Sequence, residues 1–508
     1  MLSIYKMNSM NRIYILLTAV LMATALNASA QSKDFKLGQW TEIHTSIIKE
    51  LNRSYVDTLP VDKVFRAGID AMLEQLDPYT VYIPEEENED LQMMLSKTYG
   101  GIGAIIHKKK EDNVIINEPY FGSPAHKNGL QCGDEILEID GVPTKGLETK
   151  ESSDRMKGKP GTKVVFKVKK VRTGDTLDVA IMRERIHFPD VEYSGMLDDT
   201  TGYILQSGFT EGVSQQIKER FLNLKGQGMK RLVLDLRGNG GGLMSEAVNI
   251  ISLFVPKGSL AVSSKGLEEN SRREYRTQSE PIDITTPIIV MIDGGSASAS
   301  EIVSGGLQDL KRATIMGKTS FGKGLVQSIR PLPYNGQMKV TTAKYYTPSG
   351  RCVQGIGVTP DIEIDVPSYS RLVYSLVLGG VLDQYVLKFA REHDSIAAVD
   401  GFHFSDADFE DFISFAKTQD FDYRSNAKAT FDKMKKELEE DGLADVMSSE
   451  LAALEKALEM DKERFIRLKK DEIIPFIEEE IATRYWLQEA GVKIRLRYDR
   501  QLKEAISR

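Results

Sequence analysis

Between Asp293 and Glu301 the chain reads Asp-Gly-Gly-Ser-Ala-Ser-Ala-Ser-Glu, a run whose inner side chains are no larger than a hydroxymethyl group. It follows the apolar stretch Pro287–Ile292, which reads as a buried strand. Gly294 and Gly295 allow a tight turn, and Glu301–Leu310 then reads as a helix. A strand, a sharp turn and a serine at a helix start is an arrangement by which hydrolases expose a nucleophile. The helix N-terminus also offers free N–H groups and positive potential to a developing oxyanion.

A serine hydroxyl needs a base to become a nucleophile. The six histidines, His44, His107, His126, His187, His393 and His403, all lie away from this run. Lys323, between Gly322 and Gly324, is the better candidate. Glycines let backbone pack closely around a lysine and strip its water. Burial could lower its pKa from ~10.4 toward ~7, which corresponds to ~4 kcal/mol. Gln327 is four residues further on, and strand or helix period alike would put it on the same face as Lys323. Its amide oxygen could accept a hydrogen bond from the lysine amine and aim the lone pair at the serine.

Four blocks lie in order along the chain: Leu232–Gly242 (Leu-Val-Leu-Asp-Leu-Arg-Gly-Asn-Gly-Gly-Gly), Gly295–Glu301, Phe321–Gln327 (Phe-Gly-Lys-Gly-Leu-Val-Gln), and Ala343–Arg351 with Gly357–Asp361. With them the chain resembles the carboxyl-terminal processing peptidases, tail-specific serine proteases of the S41 family with a Ser/Lys dyad. The resemblance covers roughly residues 50 to 365. It implies that Ser298, the middle of three alternating serines, is the nucleophile, Lys323 the base and Gln327 its orienting partner. It places the oxyanion hole on the N–H groups of Gly242 and Ala299. Ser320 stands where the family usually has threonine, with no catalytic consequence expected. Asp235 and Arg237 are expected to pair with each other or to orient the glycine loop.

Tyr99–Ala104 (Tyr-Gly-Gly-Ile-Gly-Ala), Ser123–Ala125, Gly129–Leu130 and Gly133–Gly141 follow in the order that a PDZ domain uses. By that resemblance Gly100, Gly101, Ile102 and Gly103 form the loop that binds a peptide's C-terminal carboxylate. Successive backbone N–H groups in such a loop make an anion nest, and the peptide adds as a strand to an open sheet edge.

The expected fold is multidomain α/β, with a crotonase/ClpP-like α/β catalytic domain, an inserted or preceding PDZ domain, N-terminal helices and a C-terminal helical region. The segments are 1–30 signal peptide, 33–97 N-terminal helices, 98–186 PDZ domain, 187–365 catalytic domain and 366–508 helical domain. In the last segment Leu451, Leu454, Leu458 and Phe465 follow helical spacing. Its helices either cover the catalytic core or form an interface with a partner.

Lys6 and Arg12 precede an apolar run, Ile13–Leu26, and Ala28-Ser29-Ala30 fits a small-x-small cleavage site. An exported, periplasmic protein is expected, with membrane association through an uncleaved run as the alternative. Cys132 and Cys352 are expected to be unpaired thiols. The net charge of −8 and the lack of a basic tract with interleaved aromatics argue against nucleic acid. The Lys108–Lys110 run, followed by Glu111 and Asp112, reads as a solvated turn. No metal or cofactor is called for. The expected partners are proteins or peptides with unstructured, apolar C-termini. An adaptor protein, or a homodimer through the helical regions, is compatible with the pattern.

Two other functions fit parts of the sequence. One is a PDZ-type binding protein or adaptor with a vestigial protease site. The other is a β-lactamase-like acyl enzyme, because Ser320–Lys323 reads Ser-x-x-Lys. That motif needs a helix, which Gly322 and Gly324 disfavour, and neither Ser-Asp-Asn nor Lys-Thr-Gly follows. Nucleotide binding fits poorly: Gly-x-Gly-x-x-Gly fails at Leu243 and no Gly-Lys-Ser/Thr is present.

Overall fold

The computed structural model describes residues 33–108, 112–365, 369–458 and 461–508. The expected signal peptide and most of the Lys108–Lys110 run lie outside the described residues. Lys108 itself is not solvated: its Nζ donates to the carbonyls of Thr144 (2.6 Å) and Leu147.

The chain divides at Tyr82. Up to that point it is helical over 33–54 and over Val61–Glu74. The Asp77 carboxylate accepts from the N–H groups of Tyr79 (2.8 Å) and Thr80 (2.9 Å), which fixes the turn that contains Pro78 and follows the second helix.

The unit from Ile83 onward is built around a six-stranded sheet. Its order is Val191–Met196, Thr201–Gln206, Arg231–Asp235, Ile288–Ile292, Thr314–Gly317 and Ile362–Glu363. The first pair is antiparallel and the others are parallel. Parallel strands of this kind are buried on both faces, and the side-chain period of two divides their apolar residues between two cores. Leu232, Leu234, Ile288, Val290 and Ile292 point to one core, with the helices Val213–Gly226, Met244–Ser252 and Ala299–Asp309. Val233, Ile289 and Met291 point to the other, which is closed by Leu502 and Ala505 of the last helix, Arg500–Ser507. Part of the C-terminal helical region therefore covers the catalytic core, as one of the two sequence expectations held.

A six-stranded antiparallel sheet, ordered Ala104–His107, Val114–Pro119, Glu135–Ile139, Lys163–Lys169 and Thr176–Met182 with the short Val142–Pro143 paired to Glu135–Ile139, forms a separate core around Ile116, Ile136 and Phe166. Ala104–His107 is its edge. The chain enters and leaves this body through a ribbon, Thr98–Gly101 paired antiparallel with Glu184–His187. At its foot Lys97 Nζ meets the buried Asp190 carboxylate at 3.0 Å and donates to Ser207 Oγ at 3.0 Å. The helices from Arg371 to Tyr498 pack around a third core that includes Leu376, Tyr385, Phe412 and Ile477. Among the described residues no single helix is long and apolar enough to cross a membrane. The bent pair Arg371–Leu378 and Val381–Glu392 passes that test only when joined, and it lines this core.

Candidate active site

The three alternating serines have different fates. Ser296 and Ser300 are fully buried and donate to main-chain carbonyls: Ser296 Oγ to Leu236 (2.8 Å) and Ser300 Oγ to Asn239 (2.8 Å). Both tie the helix start to the glycine loop of Gly238–Gly242. Ser298 lies between them, half-exposed, with φ 55° and ψ −110° at the N-cap of the helix Ala299–Asp309. A left-handed φ on a non-glycine residue costs energy and persists only where neighbours impose it.

Glu301 imposes it. This side chain is fully buried and acceptor-only, and four donors converge on it. Oε2 accepts from the N–H groups of Ser298 (2.8 Å) and Lys323 (2.8 Å); Oε1 accepts from Ser320 Oγ (2.6 Å) and the N–H of Gly322 (2.7 Å). One carboxylate oxygen thus joins the serine elbow to the lysine loop, Glu301 lying 22 residues before Lys323. Ser320 accepts in turn from the N–H of Val358 at 2.6 Å, so its hydroxyl is engaged in fixing the loop. Residues 320–324 are not helical, which removes the Ser-x-x-Lys reading.

Lys323 is half-buried. The segment Gln354–Gly357 packs against the glycines on either side of it. A Cβ on Gly324 would stand 2.6 Å from the Gln354 N, and one on Gly322 3.1 Å from the Ile356 and Gly357 N atoms. The Lys323 amine is held below the ordinary lysine range, first by burial and then by the charge of Lys339, against the opposing pull of Glu301. Gln327 donates through Nε2 to Thr341 Oγ1 at 3.3 Å. The strand-period argument that aligned it with Lys323 does not apply, because Lys323 precedes the strand Leu325–Pro331; beside Gln327 the register slips by one, with Thr342 the extra residue on the partner strand.

The glycine loop closes over the serine. A Cβ on Gly241 would stand 2.8 Å from both the Ala299 N and Ser298 Cβ, so only glycine fits there. The Gly241 N–H is taken by Asn239 Oδ1 at 2.9 Å. Gly242 lies beside Phe209, which receives a bond from the Leu243 N–H at 2.8 Å. Asp293 Oδ1 ties the two loops together, accepting from the N–H groups of Gly238 (2.8 Å) and Gly295 (2.9 Å). Asp235 and Arg237 form an ion pair, and Arg237 also pairs at 2.5 Å with Asp499 of the C-terminal region.

The loop Gly100–Gly103 does not form one open nest. Gly100 and Gly101 belong to the ribbon, opposite Arg185 and Glu184. Ile102 is buried in the core of this body, and the main chain of Gly103 lies near the phenol of Tyr99. Burial pushes that phenol up to about 12, and its ring stacks on Phe188 with centroids 5.4 Å apart. The edge strand Ala104–His107 begins directly after this loop.

The sequence model of peptidase family S41 matches residues 200–364. The PDZ domain model matches 91–169, and that of the "probable PDZ-protease, C-terminal helical domain" matches 372–508. A carboxy-terminal-processing protease of Bartonella bacilliformis is 36% identical over 362 residues, covering 70% of this chain and 81% of that protein. The chain belongs to the carboxy-terminal-processing serine peptidases of family S41. A probable CtpA-like serine protease of Staphylococcus aureus is 34% identical over 373 residues, 70% of this chain and 72% of its own. A solved photosystem II D1 C-terminal processing protease is 29% identical with a TM-score of 0.39, covering 62% of this chain and 86% of that one.

For this S41 peptidase the reading as a vestigial binding protein is not favoured, because serine, lysine and the carboxylate between them are all in place. Sequence reasoning assigned no role to Glu301. The signal was present: Ser298 followed three residues later by Glu301 is the Ser-x-x-Glu capping box, in which the acid reaches back to the N-cap N–H. It also missed Asp499, which lies 262 residues from Arg237. Cys132 and Cys352 are both free thiols.

Proposed function

We propose that Ser298 and Lys323 form the catalytic dyad of an endopeptidase that selects substrates by their free C-termini. The observation that carries this reading is the single Glu301 oxygen shared by the Ser298 and Lys323 N–H groups, beside an amine whose pKa burial has lowered. In the neutral form, Lys323 Nζ takes the proton from Ser298 Oγ as that oxygen attacks the scissile carbonyl. The N–H groups of Ala299 and Gly242 then face the oxyanion. Collapse breaks the C–N bond, and the leaving amine takes the proton back from Lys323. Water, deprotonated by the same amine, hydrolyses the acyl-serine. Gln327, held by Thr341, orients the lysine.

The tail would add as a strand along Ala104–His107, with its carboxylate toward the Ile102–Gly103 main chain. The Tyr99 phenol lies near that main chain and would flank the carboxylate. Export to the periplasm with cleavage after Ala30 belongs to the same proposal, as do delivery by an adaptor and a homodimer through the helical regions. Cell fractionation with N-terminal sequencing tests the first, and light scattering of the purified chain the last.

The functional test compares a peptide bearing an apolar free-acid tail with its amidated twin. Losing charge-assisted bonds worth about 1.5–3 kcal/mol each should slow cleavage about tenfold or more. Ser298→Ala should abolish both reactions. Equal rates for acid and amide would overturn tail recognition, and turnover by Ser298→Ala would overturn the dyad.

A further inference from the structure

Between the PDZ body and the helical domain lies a half-open cavity of about 420 Å³ that neither the catalytic site nor the tail groove uses. Leu130, Cys132 and Val171 wall it from the PDZ side, and Arg484, Trp486 and Leu487 from the helical side. The long helix Lys470–Tyr498 breaks here, with Leu487 at φ 66° and ψ −172°. Such a break in a leucine is a strained conformation, and it turns Trp486 and Leu487 into the cavity wall.

Arg484 is the unusual member of this wall. Its Nε and Nη1 are sealed from solvent, and neither has a hydrogen-bond partner. Gly133, at φ +88°, makes room for the group: a Cβ there would stand 2.5 Å from Arg484 Nη1. Buried guanidinium donors left unpaired are costly. The acids that act on Arg484 are Glu480 and Asp383, and burial pushes Glu480 up to about 7.

We infer that this cavity is a binding site for an anion with an apolar body, a carboxylate on a hydrocarbon chain or side chain, with Arg484 as its counter-charge. Arg484 is the cation set among Leu130, Val171, Trp486 and Leu487, while Arg172, the second cation of the lining, lies with its guanidinium over the Tyr485 ring; a carboxylate whose remainder is hydrocarbon suits such a wall. A small inorganic anion would leave the apolar walls unfilled. The volume lies in the range of small-ligand pockets. Because the walls come from two domains, occupancy would hold the PDZ body to the helical domain. A free aliphatic acid and the last residue of a polypeptide carry the same chemistry.

Trp486 supplies the readout. The chain has two tryptophans, so Trp40→Phe leaves Trp486 as the sole emitter. Octanoate and an acetylated hexapeptide ending in a free valine are titrated separately into full-length Trp40→Phe/Ser298→Ala protein, with 1-octanol as the uncharged control. At least one acid should shift Trp486 emission saturably, and the alcohol should not. Arg484→Met should weaken that binding about tenfold or more, as expected for loss of a charged hydrogen-bonding partner. Saturation by octanoate identifies a free acid as sufficient; saturation by the peptide alone identifies a polypeptide end. Without ligand, Arg484→Met should melt no lower than the parent, because it removes an unpaired buried charge. If Arg484→Met does not fold, the wild-type chain decides: the binding acid should slow alkylation of Cys132 while leaving Cys352 unaffected. No saturation by either acid, or equal binding by Arg484→Met, overturns the inference. In an unfolded-variant case, unprotected Cys132 does the same.

Discussion

Replacing Glu301 by glutamine separates positioning from charge at the dyad. The carboxylate accepts four hydrogen bonds at 2.6–2.8 Å, two on each oxygen. A glutamine keeps one acceptor oxygen and turns the other position into a donor. Whichever way it sits, two buried donors lose their acceptor. At about 1–3 kcal/mol for each unsatisfied group the total is roughly 2–6 kcal/mol. That loss divides between folding and the transition state. Even a quarter of its upper limit, about 1.5 kcal/mol in the barrier, is a tenfold fall in rate. The charge acts separately. Glu301 favours the ammonium form of Lys323, so its removal lowers the amine's pKa further. Since the neutral amine is the active base, the rising limb of activity should move to lower pH while the plateau falls. Rates on a fluorogenic tail peptide across pH, with a melting curve of the same variant, read both effects. A wild-type plateau, or a limb displaced to higher pH, would refute the reasoning.

Lys339→Gln should move the same limb the other way. Lys339 disfavours the charged amine, so its loss raises the pKa of Lys323 and active enzyme is reached only at higher pH; a pH–rate profile checks the sign. Ser300→Ala should fold and stay measurably active but slower, because one bond from the helix start to Asn239 is lost, about 1 kcal/mol; steady-state kinetics read it. Leu502→Ala should lower stability by about 2–5 kcal/mol, since Leu502 fills the core beneath Val233 and Met291; thermal melting should show a shift of roughly 4 °C or more.

Much of this architecture was legible because it is local. The apolar runs at Leu232–Leu234 and Ile288–Ile292 announce strands buried on both faces, and the glycines around Lys323 announce close backbone approach. The three serines alternate, and burial then separates Ser298 from Ser296 and Ser300. What was not legible depends on residues far apart in sequence. Nothing around Arg237 indicates that Asp499 will meet it, nor does the period of the last helix say which sheet face it will close. The strand begins only at Leu325, so the relation of Gln327 to Lys323 could not be read from strand spacing. In the loop Gly100–Gly103 the glycines signalled a nest, but the pairing of Gly100 and Gly101 with Arg185 and Glu184, more than 80 residues on, is a tertiary event.

The most direct test of the dyad is to label the protein with a fluorophosphonate at alkaline pH and locate the adduct by peptide mass spectrometry. The account predicts one adduct, on Ser298, and its near-complete loss in Lys323→Arg, because a guanidinium with a pKa above ~12 cannot take the serine proton. An adduct on Ser296, Ser300 or Ser320, or undiminished labelling of Lys323→Arg, would contradict it.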